Sequence, residues 1–483
     1  MLTVQPAAQP YPHLAALLEL IGPGRARRLR RAADRITERL AGGTLWHVNS
    51  TAAGGGVAEM LHTLLPLYRS LGVAAGWLVI GGDEPFFTVT KRLGAALYGS
   101  WSDGLALGPA ERKTYLDGLA ANAAAIRRRA ASSDVLVLHD HQTAGLVDLL
   151  SADVSAAYWR CHVGVDEPSP AAGAAWDFLR PLLTTAAGTV FSVPGHVPDL
   201  LREQRVAVIP PFVSPYSPKN CELSDDAVRA CLARCGLRPS RTGPASTAPA
   251  STGPASTGPV EVASPAGPVA LRHPVQVIAD RPPGGGEPLL VQVSRWDRLK
   301  DMHGVLASFA AGVSSGYLAL VGPDPAGIPD DVEQGEWFGR CLAARSALAG
   351  PDRQRTCLIC LPMADLAENA ILVNAIQRAA DVVVQKSLAE GFGLTVTEAM
   401  WKSRVVVASA VGGLREQISH GDNGLLVPDP TDLPRFGAAL AGALNPALDR
   451  PGMGGRARQR VLRDYLPDHE IVATADLLDG GPS

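Results

Sequence analysis

Two carboxylates stand eight positions apart in Glu390-Gly-Phe-Gly-Leu-Thr-Val-Thr-Glu398, and glycines flank Phe392 directly after the first of them. A helix beginning near Leu394 would carry Glu398 about one turn in and leave Glu390 in the preceding loop. Its first N–H groups, unpaired and partly positive, would then open toward the gap between the two acids. Gly391 and Gly393 bring backbone close to a ligand without a Cβ in the way. Amides suit a phosphate and carboxylates suit hydroxyls, so this stretch suits a phosphorylated sugar donor; the bland alternative is an ordinary strand-to-helix turn with exposed acids.

A second group is Ser294-Arg-Trp-Asp-Arg-Leu-Lys-Asp301, directly after an apolar run that reads as a strand. Ligands of α/β sheets bind beyond the carboxyl ends of strands. Arg295 offers a planar fork and Lys300 a point charge, the pair a leaving diphosphate needs. The bland alternative is a surface ion pair with Asp297 or Asp301. Lysine is scarce, six in the whole chain, yet Lys300, Lys386 and Lys402 all fall near these motifs. Val411-Gly-Gly-Leu414 and Gly421-Asp-Asn-Gly424 read as turns.

In the first half, Asn49-Ser-Thr-Ala-Ala-Gly-Gly-Gly56 joins a strand to a helical pattern over Val57–Leu71. Three glycines before a helix form a backbone cradle for an anion or sugar. The stretch is neither GxGxxG nor a Walker loop, which disfavours a nicotinamide enzyme and a P-loop nucleotidase. His139-Asp-His-Gln142 and Trp159-Arg-Cys-His162 end two further strands. His139, His141 and His162 are also the residue types of a metal site. Alternate residues share a side only while a strand stays extended, however, and this one is turning.

The elements that would carry these groups alternate regularly. Strands are expected at Thr44–Val48, Ala75–Ile80, Asp134–His139, Ala157–Cys161, Thr189–Ser192 and Ala207–Ile209. A second series falls at Leu289–Val293, Tyr317–Val321, Thr356–Leu361, Asp381–Val384, Val405–Ala408 and Gly424–Val427, with helical patterns such as Asn369–Ala380 between. Two such series predict two doubly wound α/β domains. The division is expected near Pro210–Pro215, giving domains over 1–212 and 213–454 and a C-terminal helix over 455–483, broken near Pro467, that crosses back to the first domain. The Pro/Ala/Ser/Thr/Gly repeat at 243–259 has nothing to bury, so about 239–287 reads as a disordered insertion within the second domain.

Composition bounds the rest. At 483 residues, 46% hydrophobic and 19% charged, the chain describes a globular protein of more than one domain. A net charge of −3 gives no general pull toward nucleic acid or an anionic membrane, and neither is expected as a partner. The basic run Gly24–Arg31 reads as a solvated helix face. Seven cysteines suit a reducing compartment. No His completes a zinc spacing with Cys357 and Cys360 or with Cys231 and Cys235. The N-terminus turns basic only after an apolar start, and no run of 18 apolar residues occurs, so a cytoplasmic protein is expected.

Taken together, the motifs resemble the retaining family-four glycosyltransferases with the GT-B fold, and within them the trehalose glycosyltransferring synthases, which are similar to trehalose phosphorylases. The matching stretches are Trp46–Glu59, Phe86–Lys91, Trp159–His162, Ser217–Asn220, Val293–Asp297 with Lys300-Asp301, and Val373–Arg378 through Gln385–Lys402. The resemblance implies two Rossmann-like domains facing each other across a cleft, a nucleotide diphosphate sugar as donor, a small sugar as acceptor, and no metal or other cofactor. It assigns Arg295 and Lys300 to the diphosphate, Glu398 to the ribose and Glu390 to the donor sugar's hydroxyls. Gly391, Phe392, Gly393 and Leu394 would line donor sugar and phosphate through their amides. Gly55 and Gly56 would close over the donor. His162 would face the anomeric carbon, and Asp140 would touch donor or acceptor sugar.

The chain departs from the family in its first half. Gly94 and Ala95 stand where the synthases carry His-Asn, His141 where they carry Pro, and Gly164 where they carry Asp. These positions shape the acceptor side, so an acceptor other than glucose is an alternative. A phosphorylase using glucose 1-phosphate and a silent sugar- or nucleotide-binding protein are the others. The oligomeric state stays open, a homodimer included.

Overall fold

The computed structural model describes residues 2–100, 107–167, 169–237, 260–265, 267–327 and 332–480. They divide into two compact units, Met1–Ser214 with Glu390–Leu394 and Tyr465–Ser483, and Pro215–Ala389 with Thr395–Asp464.

In the first unit the strands are β1 (Thr3–Val4), β2 (Leu45–Asn49), β3 (Ala75–Val79), β4 (Val135–His139), β5 (Ala156–Cys161), β6 (Gly188–Phe191) and β7 (Val206–Val208), in sheet order β1-β3-β2-β4-β5-β6-β7. All neighbours run parallel except the edge pair β1–β3. Parallel strands covered on both faces read as near-continuous apolar runs, and every residue of β4 is buried. Val48, Leu138, Trp159 and Phe191 share one face and pack with Phe86, Tyr115, Leu119 and Phe178. The helix Leu14–Leu40 carries the basic run: Arg27, Arg28, Arg30 and Arg31 are exposed, while Arg25 donates to both Asp468 oxygens at 2.9 and 2.7 Å. Asp468 belongs to the helix Pro467–Asp479, so the C-terminal segment is part of this unit.

The second unit holds β8 (Val260–Val262), β9 (Val269–Leu271), β10 (Gln276–Ala279), β11 (Leu289–Val293), β12 (Tyr317–Pro323), β13 (Thr356–Leu361), β14 (Val382–Gln385), β15 (Val405–Ser409) and β16 (Leu425–Val427). Its main sheet runs β10-β13-β12-β11-β14-β15-β16, parallel except for β10. All twelve strands expected from the sequence are present, within a residue or two at their ends.

Three features differ from the sequence reading. The insertion does not extend to 287: β8 and β9 form their own antiparallel pair, and β10 caps the sheet edge. Val262, Val269, Leu271 and Val275 are buried there, enough apolar surface to order the segment. The repeat at 243–259 lies outside the described residues. The helix Arg450–Asp464 stays with the second unit, so the change of unit falls at 464/465, where Leu466 is extended and Pro467 opens the next helix. Finally, the turn Glu390–Leu394 clusters with the first unit although its helix continues in the second.

Candidate active site

Strand register puts a polar layer on one face of the first sheet. His47 lies opposite Val137, and His139 lies opposite Arg160. Side chains alternate along a strand, so His47, His139, Arg160 and His162 share the face opposite the apolar core. Arg160 is buried and forks onto Glu470 of the helix Pro467–Asp479; one arm reaches Oε2 at 3.0 Å, and its Nη2 also donates to the Ile209 carbonyl at 3.1 Å. Nδ1 of His139 meets Nε2 of His162 at 3.0 Å, and Nε2 of His139 meets Nδ1 of His47 at 3.0 Å. Burial lowers the pKa of all three, His47 to about 3, and the Arg160 charge lowers each further.

Asp140 turns the chain at the end of β4 with φ +63°, a conformation Asp tolerates better than most residues. Its Oδ1 accepts the His162 N–H at 2.8 Å, and burial pushes its carboxyl up to about 6 against that bond and against Arg160. Asp140 therefore fixes the peptide of His162.

The glycine turn joins this cluster. A Cβ on Gly391 would lie 2.5 Å from the His162 carbonyl oxygen and 3.3 Å from the Tyr98 hydroxyl, so only glycine fits. Gly393 has φ +87°. Phe392 is buried with its ring edge-on to Tyr465 at 5.5 Å. Glu390 is buried, and its charge opposes the burial that lowers the pKa of His196. The helix starts at Leu394 and contains Glu398, as the spacing predicts. Gly55, at φ +80°, caps the helix Gly56–Ser70, and a Cβ on Gly56 would meet Leu394 at 3.3 Å. Thus His162, Asp140, Gly56 and the 390–394 turn come together in the first unit.

Arg295, Lys300 and Glu398 lie in the second. The loop after β11 is tied down from inside. Trp296 is buried and donates to the Pro323 carbonyl at 2.9 Å, Asp297 Oδ1 accepts the Lys300 N–H at 2.9 Å, and Gln292 donates to the Lys300 carbonyl at 2.7 Å. Arg295 makes the ion pair with Asp297 that the sequence offered as the bland alternative, at 3.0 Å, with its side chain 63% exposed. Such a pair is weak. Buried Glu398 lies 3.5 Å from Lys219, which belongs to the Ser217–Asn220 stretch and so enters the site from a loop the motif spacing does not single out.

His139, His141 and His162 do not converge. The first and third bond each other, while the His141 ring lies over Gly94: a Cβ there would be 2.9 Å from Nε2. Burial pushes His141 down to about 4, opposed by a bond to the Thr90 carbonyl. Gly164 is likewise roofed, its Cβ position 2.6 Å from the His196 ring. Two of the departures from the family pattern are thus filled by imidazoles from elsewhere in the chain. Among the described residues no group of three or more His, Cys, Asp or Glu could hold a metal ion. All seven cysteines are buried and free. No described helix is long and apolar enough to cross a membrane.

Residues 47–198 match the trehalose synthase N-terminal domain family, and residues 369–460 match the group 1 glycosyl transferases. The chain is 32% identical to a trehalose synthase of Pyrococcus horikoshii over 92% of its own length and 91% of that relative. It is 31% identical to one of Thermococcus litoralis over 95% of both chains, and 32% identical to one of Rubrobacter xylanophilus over 89% of both. Among solved structures, a UDP-forming α,α-trehalose-phosphate synthase of Burkholderia xenovorans superposes with a TM-score of 0.65 at 13% identity, covering 91% of this chain and 99% of that one. A sucrose-phosphate synthase of Thermosynechococcus elongatus gives 0.56 at 17%, covering 89% and 96%. These likenesses establish the GT-B fold.

Proposed function

We propose, from the premise that this chain belongs to the trehalose synthase family and is a glycosyltransferase, that it moves a glucosyl-type sugar from a nucleotide diphosphate sugar to a small sugar acceptor with retention of configuration. With glucose as acceptor the product is trehalose. The observation that carries the reading is the glycine turn: buried Glu390 precedes it, Gly391 lies against the His162 peptide, and the amides of a helix N-terminus follow.

In this reading the acceptor hydroxyl attacks the anomeric carbon from the face the nucleotide leaves, through an oxocarbenium-like state. The bond from that carbon to the phosphate oxygen breaks, and the leaving phosphate takes the acceptor's proton. Arg295 and Lys300 stabilise the charge that develops on the diphosphate, the largest single contribution. Among the contacts of Arg295 is an exposed pair with Asp297, a weak one to exchange for a diphosphate. Glu398 binds ribose hydroxyls, Glu390 binds sugar hydroxyls, and the amides of Gly391 to Leu394, with Gly55 and Gly56, surround donor sugar and phosphate. No metal takes part. A second reading, an acceptor other than glucose, is favoured by the imidazoles over Gly94 and Gly164, since a site that loses or gains buried polar groups discriminates strongly among hydroxylated substrates.

The test is incubation of the full chain with several nucleotide-glucose donors and a panel of sugars, following nucleotide release and product mass. Acceptor-dependent nucleotide release is expected. Arg295→Ala should lower turnover by about 10²–10³, and Lys300→Ala by a similar factor. Unchanged turnover in both variants removes them from the diphosphate. Transfer from glucose 1-phosphate with no nucleotide requirement makes the protein a phosphorylase.

A further inference from the structure

We propose that His47 and His139 are positioning residues, forming with His162 a chain of three imidazoles that holds His162 in one tautomer and fixes the peptide it carries. Its bearing on catalysis rests on the transfer reading above; the tautomer itself does not.

The chain is continuous. Ser192 Oγ lies 3.4 Å from Nδ1 of His162, and the two 3.0 Å contacts carry it on through His139 to Nδ1 of His47. Successive rings are nearly parallel, with centroids 5.3 Å apart in both pairs. A neutral imidazole has one N–H and one lone pair. Each nitrogen–nitrogen contact needs one of each, so one choice sets all three rings. Either every Nδ1 is protonated and His162 donates to Ser192, or every Nε2 is protonated and Ser192 donates to His162.

Arg160 decides between them. Nε2 of His47 ends the chain, buried and without a hydrogen-bond partner among the described residues, and Nε of Arg160 is in the same condition. A guanidinium can only donate. Its positive field, felt by all three rings, favours a lone pair rather than a proton at that buried end. The geometry therefore assigns the state with every Nδ1 protonated.

In that state both ring nitrogens of His162 are spent inside the protein, and neither is left to move a proton for a substrate. What His162 presents is its main chain: the N–H bound to Asp140, and the carbonyl against Gly391. The relay holds the side chain, Asp140 holds the peptide, and together they set the carbonyl over the glycine turn. His47 is the remote end, so its loss should be felt at the turn as misplacement.

His47→Phe keeps a ring of similar size and removes Nδ1. His47→Asn keeps an amide N–H near the Nδ1 position, whereas His47→Gln places its amide farther out. In full chain labelled with ¹⁵N-histidine, wild-type His162 should show Nδ1 protonated and Nε2 bare, and His47→Phe should show both tautomers. Under saturating donor, kcat of His47→Phe should fall about three- to tenfold with KM for the donor nearly unchanged, and His47→Asn should recover most of the loss, on the scale of one buried hydrogen bond. Should His47→Phe not fold, His47→Asn against His47→Gln gives the same comparison. The proposal is overturned by an Nε2-protonated His162 in the wild type, by one tautomer throughout the series, or by equal kcat in the paired variants. If no donor is turned over even by the wild type, the transfer reading fails, and the spectra still decide the relay.

Discussion

The two sheets share one winding, yet their carboxyl edges are built from different chemistry. Around β2, β4 and β5 the buried polar groups include His47, Asn49, His139 and Arg160, with His141 just after β4 and His196 after β6. Around β11 and β14 they are Gln292, Gln385, Lys386 and Ser387. Gln292 accepts the Lys386 N–H at 3.0 Å, Gln385 donates to Ser387 at 3.0 Å, and Lys386 pairs with Asp301. The second edge is organised by amides that do not titrate and by a charge matched with its counter-ion. The first is organised by imidazoles that must stay neutral. A polar layer can be fully buried in either way, but the first, resting on neutral imidazoles, makes folding depend on protons just below pH 6.5.

The largest expected difference is therefore in acid. His47, His139, His141, His162 and His196 all have folded pKa values below the ordinary 6.5, chiefly from burial. Below pH 6.5 the unfolded chain takes up protons that the folded chain refuses, so stability falls as pH falls. Each group contributes at most about 1.4 kcal/mol per pH unit, so five together contribute at most about 7 kcal/mol per unit. Asp140 works oppositely: raised to about 6, it favours the fold most below pH 4 and loses that contribution as pH rises through 6. One carboxyl cannot offset five imidazoles. Hydrogen exchange of the full chain at pH 7.5 and pH 5 should show the first unit opening first. If the second unit opens first, the contrast between the edges is wrong.

Next in size is the buried Arg160–Glu470 pair, whose side chains are 2% and 1% exposed. Arg160→Leu leaves a carboxylate buried alone and should cost about 3–5 kcal/mol, whereas adding Glu470→Leu should recover much of it. Denaturant midpoints of the two variants decide this. Equal losses would mean that the ion pair, rather than the orphaned charge, carries the energy.

The smallest effect sharpens the comparison at the glycine turn. Gly393→Ala forces a side chain onto φ +87° and should destabilise by about 1–2 kcal/mol. Thermal melting with and without a nucleotide-glucose donor checks it. An alanine tolerated at no cost would mean that the turn is free to rearrange.

Much of this was legible in order of residues. Glu390, Gly391, Gly393 and Glu398 announce a loop, a close approach and a helix start, because turn glycines and helix onset are decided within a few residues. β1 and β10 were not legible. They are two and four residues long and antiparallel, too short for periodicity to identify. Arg295 was legible as a cation after a strand, but not its pairing with Asp297 over Asp301. His141 and Gly94 could be noted separately as unusual, yet nothing in a list of residues says that one ring fills the space over the other.

Local chemistry alone determined the alternation of strands and helices and the glycine turns, since propensity, periodicity and capping act between near neighbours in the chain. Only the folded structure decided that His47, His139, Arg160 and His162 share one face, that Arg160 meets Glu470 across 310 positions of sequence, and that the imidazoles are neutral. Register between parallel strands and loss of water arise when distant segments close on one another. The proton affinities that follow belong to that closure.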